Sequence, residues 1–474
     1  MDEPFRGAAR RNSAEGLYRL SGLQQGMLFH SLYDKRAGAY TEQFACDLID
    51  PDLGIISKSW NHVINSHSIL RSGFYYDVFS IPVQCVYKEA ELPVTIIDYS
   101  ALEENEQLNA VNEYEAEDRM KGFDLRSVPL MRITLIKKSK NRYRMLWTSH
   151  HILYDGWSMP VIVEEFLSTY EKMFNGKEVE KKETDKYEDF IRYTERIDIY
   201  KQENYWQNYM EGVDQSTLLP FISSAVQRTK GIGKYESVML RLNEEVTERI
   251  GSFAQKHKIT INTVMQGVWS LLLHRYTGND NIVFGVIVSG RPDDLPGVEK
   301  RVGLYINTLP LHSRLQPGKA LPEWLQNIQS EQVSSRYYQY TPLQDIQRIT
   351  KISGDLFDSI FVFENYPVSE IVNSRKWSLH VENVKIKEQT NYPLTVAIAS
   401  AERININFSF NADLLNPEFI NEIRDHFENV LLQMISKDIL LPDDVKLLTA
   451  SEQDRILNEF NNTKVDYPKY ENII

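Results

Sequence analysis

Ser149-His150-His151-Ile152-Leu153-Tyr154-Asp155-Gly156-Trp157-Ser158 is the stretch on which the reading of this chain turns. Two adjacent histidines follow a mostly apolar run, Tyr143 to Trp147, and an Asp-Gly pair stands four residues beyond the second. Histidine is the side chain whose unperturbed pKa lies nearest neutrality, so it takes or gives a proton at working pH. An Asp-Gly turn after a strand lets the backbone approach a ligand closely, because glycine has no Cβ. Taken alone, a histidine pair at a strand end is usually surface or satisfied core. Neighbouring residues on an extended strand point to opposite faces, so the two rings cannot easily share one metal. No Cys or His cluster with ligand spacing supplies a metal site either. The same alternation divides the labour: one imidazole faces a reaction channel while the other packs inward.

Composition narrows the field. The chain has 474 residues, room for more than one core, with 42% hydrophobic and 25% charged residues, an ordinary globular balance. A net charge of −13 argues against a nucleic-acid binder, which would present a basic face. No apolar run approaches the roughly 20 residues that span a bilayer, and Met1 to Gly7 lacks the apolar core of a signal peptide. Cys46 and Cys85 are too few for a disulfide scaffold. These features point to the cytoplasm.

Along the chain, residues 1–15 read as a polar tail. Helices are expected at Gly22 to Leu32, Leu53 to His67, Leu102 to Lys121 and Met159 to Phe174, with strands at Tyr40 to Leu48, Arg71 to Asp77, Val83 to Tyr87, Leu130 to Lys137 and Tyr143 to Ser149. After a charged crossover, Lys177 to Lys186, the stretch to Met210 reads as one helix. The second half repeats the mixture, including strands Asn281 to Ser289, Leu304 to Leu311, Ser359 to Glu364, Leu379 to Lys385, Thr395 to Ala399 and Ile404 to Phe410. There is no regular βαβ alternation and no internal repeat. The pattern predicts an α/β protein of two lobes built on mixed sheets, divided as 16–178 and 179–448, with 449–474 a polar linker.

Several segments, in order, carry a family resemblance from about Leu20 to Leu448. They are Leu20 to His30 (LSGLQQGMLFH), His67 to Phe74, the HHxxxDG pattern at 150–156, Tyr187 to Phe190, Val302 to Thr308 (VGLYINT) and Gln339 to Leu343. Together they resemble the condensation domains of nonribosomal peptide synthetases, within the chloramphenicol-acetyltransferase-like superfamily. Two segments depart from the usual pattern. Ser66 and Ser68 replace an Arg and an acid, so only a scaffold role is carried over there. Phe357 to Pro367 looks like a subgroup variant. Thr449 to Arg455 and Asn461 to Thr463 resemble the linker into an adenylation domain.

The resemblance implies two chloramphenicol-acetyltransferase-like lobes in a V, with a tunnel between them. It implies amide-bond formation: the α-amine of a carrier-bound aminoacyl group attacks an upstream carrier-bound aminoacyl or peptidyl thioester, of the peptide-extending, L-donor type. Donor and acceptor peptidyl carrier domains present the substrates on phosphopantetheine arms, beside an adenylation domain. No cofactor bound by the domain itself, metal, nucleic acid, membrane or oligomer is called for. His151 is the expected catalytic group, as a base or as a holder of the amine. Positioning is favoured, because neutralising an α-amine at pH 7 costs only about 1 kcal/mol whereas orienting two tethered reactants supplies up to ~7–11 kcal/mol. Gly156 is the candidate backbone donor to the oxyanion. His150 is expected to be structural, and Asp155 to anchor its loop and pair with Arg291. Ser158, Asn307 and Gln344 are candidates to line the tunnel, Ser158 also as a helix cap, and Trp157 is expected in the core. An epimerisation domain or a non-catalytic recruitment module of the same fold are the rivals. A heterocyclising relative would carry aspartates in place of the histidines.

Overall fold

The computed structural model describes residues 14–33, 40–180, 185–222, 228, 231, 233–350, 352–364, 368–374, 376–400, 402–436 and 441–463. Arg10 to Ser13, Asn365 to Pro367 and everything after 463 lie outside the described residues. In chain order the first half holds β1 (Ala14–Arg19), α1 (Gly22–Tyr33), β2 (Thr41–Ile49), α2 (Leu53–Ser66), β3 (Ser72–Tyr75), β4 (Val83–Tyr87), β5 (Val94–Asp98), α3 (Glu104–Met120), β6 (Met131–Lys137), β7 (Arg142–His150) and α4 (Ser158–Phe174). The second half holds α5 (Glu188–Glu195), α6 (Ile199–Tyr209), β8 (Tyr235–Arg241), α7 (Glu244–His257), α8 (Ile261–Thr277), β9 (Asn281–Val288), β10 (Asn307–Arg314), α9 (Leu321–Ser335), α10 (Leu343–Thr350), β11 (Ser359–Glu364), α11 (Val368–Asn373), β12 (His380–Lys387), β13 (Leu394–Ser400), β14 (Ile404–Asn411), α12 (Pro417–Met434) and α13 (Ala450–Asp454).

The strands form an α/β architecture of two mixed sheets and a small third one. The first-lobe sheet runs β12-β2-β7-β6-β5 and the second-lobe sheet β10-β9-β11-β13-β14-β8, while β1-β4-β3 form a three-stranded sheet. Alternation along β2 sends Phe44, Cys46 and Leu48 into the first-lobe core. It sends Ala45 the other way, against Val111 of α3. Helix α4 buries Ile162, Val163, Phe166, Leu167 and Tyr170 on one face. Phe166 stacks on Trp60 of α2 at 4.5 Å, and Trp60 meets Trp147 of β7 at 4.9 Å. Full burial of such side chains stabilises by about 1.5–3 kcal/mol each, so the strand that ends in the histidines is held by the helix that follows them.

Three differences from the sequence pattern have local causes. The stretch expected to be one helix over 186–210 is two, because the Asp198 carboxylate accepts from the N–H groups of Tyr200 and Lys201 at 3.1 and 3.2 Å and starts α6 afresh. The strand expected from Leu304 begins only at Asn307, since the N–H groups of Tyr305 and Ile306 go to the Asp155 carboxylate instead of a ladder. The C-terminal segment opens as helix α13, with a reciprocal cap between Thr449 and Glu452.

Residues beyond 179 complete the first lobe. Strand β12 pairs antiparallel with β2, from His380↔Ile49 to Lys387↔Gln43. Val302, Leu304, Tyr305, Val368 and Leu379 belong to the first-lobe core. A charged network fastens the crossover strand. Arg144 reaches Asp47 and Glu115 at 3.3 and 3.0 Å, Arg142 reaches Glu382 at 2.9 Å, and Asn383 donates to Asp47 at 2.9 Å.

Candidate active site

The two histidines at the end of β7 sit in different surroundings. His150 is buried. Its Nδ1 accepts from the N–H of Ile152 at 3.1 Å, so Nε2 carries the proton, 3.2 Å from Ser31 Oγ. Burial, and next the charge of His151, push its pKa down to about 3. His150 is a neutral packing group that ties β7 to α1.

His151 lines a cavity of about 310 Å³ between the lobes. Its backbone N–H donates to Tyr40 O at 2.8 Å, and its Nδ1 lies 2.7 Å from Tyr154 O. A carbonyl oxygen only accepts, so Nδ1 bears the hydrogen and Nε2 is left with a lone pair for a substrate. The Glu42 carboxylate lies 3.1 Å from the same Nδ1. From the first lobe the cavity is lined by α1 residues and Tyr40. From the second it is lined by Asn307, Pro342, Gln344, Phe357 and the 389–392 segment. A second cavity, of about 400 Å³, shares Gly22, Leu23, Ile306, Asn307 and Pro342 with the first. Gly22 makes that shared wall thin: a Cβ there would lie 2.7 Å from Pro342 Cγ.

Asp155 is buried and its carboxylate is saturated. Oδ1 accepts from Ser158 N (3.0 Å), Ser158 Oγ (2.9 Å) and Arg291 Nη2 (3.0 Å), and Oδ2 from the N–H groups of Tyr305 (2.9 Å) and Ile306 (3.3 Å). No lone pair is left for proton transfer, so the group anchors loops. Arg291 also donates to the carbonyls of Val298 and Arg301 and stacks 4.3 Å over the Tyr305 ring. Gly290, just before it, has φ +58, and a Cβ there would collide with Tyr305 O. The Tyr187–Phe190 segment buttresses the same loop. Tyr187 donates to Leu304 O at 2.5 Å, and Phe190 packs on Tyr305 at 4.8 Å.

Two residues are placed otherwise than the sequence suggests. Ser158 is fully buried behind Asp155 and Gly303 and lines no part of the cavity; it is the first residue of α4, whose N-cap is Trp157, without a side-chain cap. Trp157 is exposed rather than in the core. Gly156 is buried at the turn between β7 and α4. Asn307 is fixed by donating to Gln339 O and Thr341 O at 2.9 and 2.8 Å, and Gln344 joins the cavity wall. Among the described residues no group of three or more His, Cys, Asp or Glu is arranged to hold a metal ion.

The family model described as the condensation domain matches residues 14–457. The chain belongs to the condensation domain family. It is 37% identical over 462 residues to a linear gramicidin synthase of Brevibacillus parabrevis, covering 97% of this chain but spanning only 6% of that relative's length. Its fold is similar to the X-domain from teicoplanin biosynthesis (TM-score 0.78, 19% identity, covering 91% of this chain and 97% of that one). It is also similar to the first condensation domain of the calcium-dependent antibiotic synthetase in complex with a substrate analogue (TM-score 0.75, 18% identity, 92% and 100%). This is therefore a condensation domain of the nonribosomal peptide synthetase type, a family whose general function is amide-bond formation between carrier-bound substrates.

Around His151 the condensation domain holds groups that no motif marks. Glu42 is the first of the core-facing positions 42, 44, 46 and 48 of β2, and an acid in an otherwise apolar column is a visible anomaly. Residues 389–392 reach the cavity only because β12 crosses into the first-lobe sheet, which no local pattern announces.

Proposed function

We propose that this domain catalyses peptide condensation itself. The acceptor's amine nitrogen attacks the donor thioester carbonyl, the C–N bond forms, and the C–S bond breaks to release the donor's phosphopantetheine thiol. His151 Nε2 accepts the amine's hydrogen, holds the nucleophile in line and returns a proton to the departing sulfur. The observation that carries this reading is the His151 ring in the interlobe cavity with Nδ1 committed to the Tyr154 carbonyl. Asp155 and Arg291 hold the loops that frame it. The two cavities that share the Gly22–Pro342 wall favour entry of two carrier-borne arms from different sides. The partners we infer are an upstream donor carrier, a downstream acceptor carrier and an adjacent adenylation domain, in the cytoplasm. Among the described residues no helix is long and apolar enough to cross a membrane.

A single-turnover assay with loaded donor and acceptor carriers, followed by intact mass, tests this. Wild type forms the dipeptidyl thioester, and His151→Ala lowers the rate by roughly 10²- to 10⁴-fold. Inversion of the donor without a new amide would indicate epimerisation. Carrier binding without chemistry across several substrate pairs would indicate a recruitment module.

A further inference from the structure

His151 has a carboxylate behind it that the motif does not contain. Glu42 is buried, on the core-facing side of β2, and its Oε1 lies 3.1 Å from His151 Nδ1. A second carboxylate arrives from the other half of the chain. In the ladders Glu42 stands opposite Ser149, and Lys387 opposite Gln43. One step further along the same antiparallel register, Glu388 falls beside Glu42. The next four residues, Gln389 to Tyr392, line the cavity with His151. Glu388 itself is exposed to solvent.

Two carboxylates that share a site repel each other and raise the affinity of the site for a proton. The protein crowded around Glu388 first, and then the charge of Glu42, push its carboxyl above the ordinary carboxylate range, and His151 works in the opposite direction. The ionisable groups around the ring are Glu42 on β2, Glu388 after β12, Tyr154 in the turn and neutral His150 on β7. Tyr40, Tyr392, His30 of α1 and Asp355 line the same cavity. Tyr154 stays protonated, held up by burial and then by Glu42. The Tyr154 carbonyl already sets the tautomer of His151. A carboxylate at the same Nδ1 therefore adds what a carbonyl lacks, a full negative charge.

We propose that Glu42 is a positioning residue for the reaction: its charge, beside the Nδ1 that donates to the Tyr154 carbonyl, balances the imidazolium formed when Nε2 takes the amine's proton, with Glu388 as the second carboxylate delivered by β12. This rests on the condensation reading above, and it names the group that stabilises the protonated His151 which that reading requires. The balance is simple: the amine proton passes to Nε2, the C–N bond forms, and the same proton leaves on the thiol.

The test is Glu42→Gln, which keeps shape and removes charge, read in two ways. Single-turnover kinetics should show the rate at saturating acceptor falling by about tenfold or more, with the acceptor's half-saturating concentration within about threefold of wild type. NMR titration of His151 in the free protein should show its proton affinity falling by about tenfold, the lower end of what an opposite charge within 4–6 Å contributes. Glu388→Gln, at an accessible position, should lower the rate less, and only at higher pH where Glu388 is ionised. Unchanged proton affinity of His151 in Glu42→Gln overturns the proposal whether or not the domain is active. So does a rate that falls while the titration stays put, which would make Glu42 merely structural. A wild type that forms no amide would instead count against the condensation reading.

Discussion

Arg291 shows what single residues do at this site. Its guanidinium spans the Asp155 carboxylate, Ser158 Oγ, two carbonyls and the Tyr305 ring, all with little solvent. Removing one partner of a buried ion pair leaves an uncompensated charge, at a cost of about 3–5 kcal/mol. Arg291→Ala should therefore lower stability by that amount in a denaturant titration. Arg291→Lys should recover only part of it, because an ammonium cannot reproduce the fork. At this scale much of the site is legible: the motif singles out His150, His151 and Asp155, the family resemblance adds Arg291, and the geometry pairs Arg291 with Asp155 at 3.0 Å. Ser158 departs from expectation for a plain reason. A turn after a strand exposes some residues to a cleft and buries others, and spacing alone does not say which. Glu42 is detectable as the one acid in an apolar column; Glu388 leaves no signal.

Between elements, the ties are made by side chains at element ends. His67, where α2 stops, has Nε2 2.8 Å from Glu165 on α4 and Nδ1 3.2 Å from Asp185 in the crossover. Burial alone would lower its pKa, but hydrogen bonds to Asp185 and Glu165, and then their charges, outweigh that and hold it up at about 9. The folded value lies above the ordinary 6.5, so the folded state binds the proton more tightly. The stabilisation is complete below about pH 6.5 and is lost as pH rises through about 9, with an amplitude of about 3 kcal/mol. A stability–pH curve for wild type should fall over that window, and one for His67→Gln should be flatter there. Most element types are readable from periodicity, since strands such as β2 and β7 and helices such as α4 carry strong alternation or a clear apolar face. The differences fall where a side chain takes over a backbone group: Asp198 restarting a helix, Asp155 claiming the N–H groups of Tyr305 and Ile306.

For the molecule as a whole, the decisive contact is β12 on β2. It supplies the outer strand of the first-lobe sheet from a point more than 330 residues further along the chain in the Asp47–Asn383 bond. Expressed alone, residues 14–178 would present the bare edge of β2 and an incomplete core, so they should aggregate. Co-expression with 179–463 should restore a soluble, monodisperse species by size-exclusion chromatography. A soluble, well-dispersed 14–178 fragment would contradict this. A two-lobed α/β plan can be read from the sequence, but the strand exchange cannot, because pairing between distant segments depends on the assembled sheet rather than on any local pattern. The same exchange bears on how such domains can be recombined. A chimaera joined between the halves would inherit its histidine motif from one parent and the strand beside it from the other. The unit that must be passed on intact is discontinuous, and a graft that respects it carries 380–392 together with the segment around Glu42.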